Sequence, residues 1–207
     1  MMKQALAAMA IAGVTMSAQA GVLINEGFDD VAGLAASGWT FTNAGTPGGT
    51  TPGWFQGNTG IFNAQAGADN AYAAANFNNA PAGGTVDSWL VTPEFDASHG
   101  VDISFWLRAA GEGYVDQVAY GFAGATSTTL APVPDSGWTQ YTVHLAPSTL
   151  GTTRFAFRYF GDADALNYVG LDSLTVSAPD GAVPEPASLA LFAGGMLALG
   201  ALRRRVR

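Results

Sequence analysis

The 207-residue chain contains no cysteine. That excludes disulfide staples, a thiol nucleophile and thiolate metal sites, so any stable fold must be held by its core, with or without a metal. Basic residues are almost as scarce. Five of the eight (Lys3, Arg203, Arg204, Arg205 and Arg207) lie at the two ends, leaving only Arg108, Arg154 and Arg158 in residues 21–182. Against them stand fifteen of the sixteen acids, a net charge of −12 for that body. Such a surface repels nucleic acid and anionic membranes, because phosphate neutralisation needs Lys and Arg. It suits divalent cations and neutral polysaccharide. Histidine occurs twice, at His99 in an apparent turn and at His144 on the outward side of a strand, and neither has spacing that suggests a triad. No Gly-x-Ser-x-Gly elbow, His-Glu-x-x-His, P-loop or dinucleotide-binding glycine pattern is present, so the expectation is a protein that is not an enzyme.

The ends of the chain are distinctive. Residues 1–20 run from Lys3 through an apolar stretch to Ala18-Gln19-Ala20, the order of a secretory signal peptide cleaved after Ala20. At the other end, residues 183–207 read Val-Pro184-Glu185-Pro186, then an uncharged run over 187–202, then Arg203-Arg204-Arg205. A spanning helix needs about 20 apolar residues. The run is shorter and holds Gly194-Gly195, which suits a temporary anchor, with the arginines as a cytoplasmic stop. Pro184 and Pro186 keep their tripeptide extended and outside that helix. An ordinary permanent anchor is the alternative. Residues 178–182 read as a short linker.

Residues 21–177 are one domain in size, and their periodicity is that of strands. Val101, Ile103, Phe105 and Leu107 alternate with polar neighbours; so do Phe155, Phe157 and Tyr159, and Tyr141, Val143 and Leu145. Further strands are expected over 22–26, 39–42, 54–57, 71–76, 89–92, 115–122 and 168–176, punctuated by Gly, Pro, Asn and Asp clusters. About ten short strands without amphipathic helices predict an all-β, antiparallel jelly-roll β-sandwich. Five tryptophans, eleven of the twelve phenylalanines and six tyrosines are available for its core. Two tryptophans are candidate ligand-contact residues: Trp106, whose parity is opposite to Phe105, and Trp54, flanked by loop sequence. The stretch from Asp162 to Asn167 fails as an EF-hand, because Leu166 and Asn167 occupy a ligand and the glycine position, and it reads as a solvated loop.

The C-terminal tripeptide, apolar run and arginines resemble the PEP-CTERM sorting signal of exopolysaccharide-producing Gram-negative bacteria. In that resemblance Pro184, Glu185 and Pro186 are the recognition element of an exosortase-type enzyme that removes the helix. It implies export, a transient inner-membrane anchor, and a final place at the cell surface or in the extracellular matrix. The body resembles the choice-of-anchor J domains, which are similar to cleaved-adhesin and MAM-type jelly rolls. The residues that carry this are Asn25-Glu26-Gly27-Phe28-Asp29, Asp87-Ser88-Trp89-Leu90-Val91-Thr92-Pro93 and Gly170-Leu171-Asp172-Ser173-Leu174. The resemblance implies a structural Ca2+ held by Glu26 and Asp172, with Asp29 or Asp87 as additions, although Ser173 stands where relatives often have a second acid. It also implies adhesion or association with exopolysaccharide. The alternatives are a carbohydrate-binding module using exposed Trp and, in the enzyme class, a secreted hydrolase.

Overall fold

The structure is a computed structural model and describes residues 21–124, 129–147 and 151–179. The signal peptide, most of the linker and the whole sorting segment, with its expected helix, lie outside the described residues. Among the described residues no helix is long and apolar enough to cross a membrane.

Alternating apolar residues produce strands throughout. In chain order these are β1 (Val22–Glu26), β2 (Thr40–Asn43), β3 (Phe55–Gln56), β4 (Ala73–Asn76), β5 (Thr85–Val91), β6 (Phe95–Asp96) and β7 (Val101–Ala109). The second half adds β8 (Gln117–Phe122), β9 (Thr129–Pro132), β10 (Thr139–Leu145), β11 (Thr152–Thr153), β12 (Phe155–Asp162) and β13 (Tyr168–Ser177). Every pairing is antiparallel. One sheet has the order β10-β7-β13-β4-β3, with β1 on the part of β13 that β4 leaves free. The other has the order β2-β5-β12-β8-β9, and β6 and β11 form a small ribbon. The result is the expected antiparallel sandwich.

Its centre lies between the inner faces. Val101, Ile103, Phe105, Leu107 and Ala109 of β7 point inward together with Phe155, Phe157 and Tyr159 of β12. Phe105 meets Phe157 and Tyr120 edge-on at 4.9 Å in each case. Each such ring, fully buried, contributes roughly 1.5–3 kcal/mol, which is how a chain without cysteine holds together.

A second, smaller apolar cluster lies on the outer face of the β13 sheet. There Phe62, Tyr72, Ala74 and Tyr168 pack with Phe55 and Trp138. They fit because Gly170 of β13 has no side chain: a Cβ there would stand 2.8 Å from the Trp138 ring, 2.9 Å from Phe62 and 3.0 Å from Tyr72. Residues 57–72 therefore form a strap over this face. Hydrogen bonds hold it down: the Tyr72 hydroxyl donates to the Asn58 carbonyl at 2.9 Å, the Trp138 indole to the Asn63 carbonyl at 2.9 Å. Asp172, fully buried, accepts from the backbone N–H groups of Gln65 (2.7 Å), Ala66 (3.2 Å) and Ser173 (2.5 Å).

Candidate functional site

A cleft of about 470 Å³ opens at one end of the sandwich, where three turns meet. The first is the 3-10 turn Phe77–Asn79, started by Asn76, whose side chain accepts from Asn78 N–H at 3.0 Å. The Phe77 N–H donates to the Asn167 carbonyl at 3.0 Å, fixing that turn to the approach to β13. The second is the 3-10 turn Ala163–Ala165, capped by Asp162. Its Asp164 carboxylate accepts from Gly83 N–H at 3.1 Å. The third is the turn through Gly111, Glu112 and Gly113, all three with positive φ, of 76°, 57° and 91°. A non-glycine residue held there is strained, and such strain clusters at functional sites. Here it presents Glu112 and Tyr114 to the cleft.

Two aromatic rings line this space while remaining open to solvent: Phe77 is 42% exposed and Tyr114 45%. Around them stand two carboxylates, Glu112 and Asp164, and two amides, Asn78 and Asn167. Asn167 is braced from behind: its side-chain amide donates to the Gly111 carbonyl at 3.2 Å and its backbone N–H to Asp116 at 2.9 Å. Asp116 is fully buried and also accepts from the Tyr159 hydroxyl at 2.6 Å, leaving its Oδ2 without a partner. Burial pushes both the Asp116 carboxyl and the Tyr159 phenol above their ordinary ranges. Apolar ring faces beside an array of hydroxyl-matching acceptors and donors are what a sugar requires: stacking for its C–H face and hydrogen bonds for its hydroxyls.

The residues singled out in the sequence are scattered. Trp54 is a correction: it is 1% exposed, and its indole N–H donates to the Ser88 carbonyl at 3.2 Å, so it is core and unavailable to a ligand. Trp106 does face outward, half-buried, between Gln140 and Asp172 of the flanking strands, on the same outer face as the half-buried Trp138. Trp89 also faces outward, on the other sheet, where Arg158 covers it at 4.9 Å. Asp87 lies on the opposite sheet from Asp172 and binds Arg158 through both oxygens, at 2.7 and 2.9 Å. Glu26, Asp29 and Asp172 do share one region. Glu26 pairs with Leu174 across β1 and β13 and accepts from Phe28 N–H at 2.7 Å. Asp29 lies beside Gly67, next to the strap residues that Asp172 binds. Among the described residues no three acidic or histidine side chains converge as a ready metal cluster. A Ca2+ shell at this place would need peptide and amide oxygens as well as the carboxylates.

Both histidines are surface residues. His144 Nδ1 is 2.7 Å from Asp102, with both side chains more than half exposed. His99 pairs with Ser98 at 3.0 Å. Among the described residues no serine hydroxyl bonds the His144 ring.

The fold is similar to that of several β-sandwich domains of solved structure. It is similar to the K1 cleaved adhesin domain of Lys-gingipain from Porphyromonas gingivalis W83, at 23% identity and a TM-score of 0.57, covering 77% of this chain and 99% of that one. The K2 cleaved adhesin domain of Lys-gingipain follows at 19% and 0.52, over 74% of this chain and 98% of that one. TmCBM61, solved in complex with β-1,4-galactotriose, gives 9% and 0.50, over 74% and 99%. Residues 182–205 match the PEP-CTERM protein-sorting motif. The chain thus has a fold like that of the cleaved adhesin domains and carries a match to the PEP-CTERM sorting motif, which implies export and sorting to the cell surface. No curated protein matches it.

Proposed function

We propose that the domain is a non-enzymatic glycan-binding module, exported and sorted to the surface, where it acts in adhesion or exopolysaccharide association. The observation that carries this reading is the end cleft, with Phe77 and Tyr114 exposed beside Glu112, Asp164, Asn78 and Asn167. The proposal extends to the tail: an exosortase-type enzyme recognises Pro184, Glu185 and Pro186, removes the apolar run and ends the transient membrane anchorage. Binding of the full-length protein to a glycan array, followed by titration of the best ligand, tests the cleft. Phe77→Ala and Tyr114→Ala should each weaken binding about tenfold, on the order of 1.4 kcal/mol, while His144→Ala leaves it unchanged. Cleft variants that bind as tightly as the natural protein contradict the proposal.

Ca2+ belongs to the same proposal in a structural role. Glu26, Asp29 and Asp172 would hold it, and it would tie the Glu26–Asp29 turn to the strap and β13. A bound ion at a hundred times its Kd adds about 2.7 kcal/mol to stability. Treatment with EGTA should therefore lower the melting temperature; an unchanged value contradicts the ion.

A further inference from the structure

We infer that the cleft selects a sugar bearing a carboxylate, and that Arg108 is the residue that reads it; this rests on the glycan-binding reading of that cleft. The described arginines differ sharply in their partners. Arg158 is paired with Asp87 at 2.7 Å and Arg154 with Glu94 at 3.5 Å. Arg108 has no carboxylate within salt-bridge distance among the described residues, and its Nε is buried without an acceptor.

The fold holds that unpaired charge in place. Arg108 projects from the outer face of β7 opposite Gly170, the position that lacks a side chain. Phe62 of the strap lies over its guanidinium, 4.5 Å from ring centroid to Cζ. A guanidinium fixed on a ring keeps its planar edge free for an in-plane partner, and a carboxylate matches that edge with two parallel hydrogen bonds. A partly buried cation without an anion is costly, so an incoming anion gains more here than at a solvated arginine.

Space for the anion exists. Arg108 lines a cavity of about 160 Å³ together with Gly60, Phe62, Glu112 and Asn167, room for about five waters at roughly 30 Å³ each. Glu112 and Asn167 also line the large cleft. The two spaces therefore adjoin, and a sugar stacked on Tyr114 or Phe77 can extend an acidic ring toward Arg108. Glu112 and Asp164 are the cleft charges that oppose this; Glu112 accepts from the Asn167 amide at 3.4 Å and Asp164 from Gly83 N–H, and no salt bridge joins either to the guanidinium. Asp172, opposite Trp106 on the same face, is engaged by strap N–H groups, and Asp135 lies beside Gly111; no salt bridge joins either to Arg108.

Calorimetric titration of the full-length protein with an oligomer of galacturonic acid, and with its methyl ester, tests the inference. The acid should bind at least about tenfold tighter than the ester, and added salt should narrow the gap. Arg108→Gln should remove the preference while still binding the ester, with its melting temperature recorded to show that it folds. Arg108→Lys, which keeps the charge without the fork, should retain part of the preference. If the natural protein binds the ester as tightly as the acid, or binds only uncharged glycans on an array, the inference is overturned and the cleft reading stands. If it binds no glycan at all, the cleft reading falls with it.

Discussion

Two buried carboxylates, Asp116 and Asp172, do unlike work in this domain. Asp172 anchors the strap through the backbone N–H groups of Gln65 and Ala66 and also accepts from Ser173 N–H beside it, and all three lose this acceptor if the side chain is cut back. Asp172→Ala should therefore destabilise the protein by about 3 kcal/mol, read as a shift of the urea midpoint. Asp116 sits behind the cleft with one oxygen unpartnered, and burial raises its pKa. The folded state then keeps that proton at pH values where the unfolded chain has already lost it, near 3.9 and above. Native protein binds more protons than unfolded protein across that window, so stability falls as pH rises through it. Asp172, raised by burial too, adds to the same slope when measured in EGTA. Midpoints recorded from about pH 4 to about pH 8 should fall less steeply in Asp116→Asn than in the natural protein. Equal slopes would show that Asp116 is ionised in both states.

At the scale of elements, the sandwich was legible because strands such as β7 and β10 alternate along their length. β1 spans the expected residues, and β7, β10, β12 and β13 fall within three residues of theirs. The two-residue ribbons β6 and β11 were not legible, being too short for any period, and exposed β9 ends on a proline. The candidate site was largely hidden. Phe77 and Tyr114 fall in turns, where no periodicity marks a side chain as outward. Trp54 shows the converse: flanking glycine and proline suggest exposure, yet its ring fills the core beside Ser88. The strap went unread because its contacts span more than a hundred residues, from Gln65 to Asp172 and Ser173. Its dependence on Gly170 is testable. Gly170→Ala should overpack the three rings and cost about 1–3 kcal/mol, whereas an alanine at Gly48, which meets nothing within 4 Å, should be near neutral. Equal effects of the two substitutions on the melting temperature would contradict the packing of the strap.

For the whole molecule, the division of charge explains its organisation. In the proposed reading the basic residues at the ends serve export and sorting, while the body keeps fifteen acids and three arginines. Two of those arginines neutralise surface acids, and the third stands by the cleft. In the processed protein, intact mass should show loss of residues 1–20 and a second cut at or near Pro184-Glu185-Pro186; a mass retaining the C-terminal arginines would contradict removal of the anchor. The central claim, however, is that the end cleft binds glycan. It is tested most directly by titrating the best array ligand into the full-length protein and its Tyr114→Ala variant. The account predicts saturable binding that the variant weakens about tenfold. Equal affinity in the two proteins, or no binding to any glycan, would contradict it.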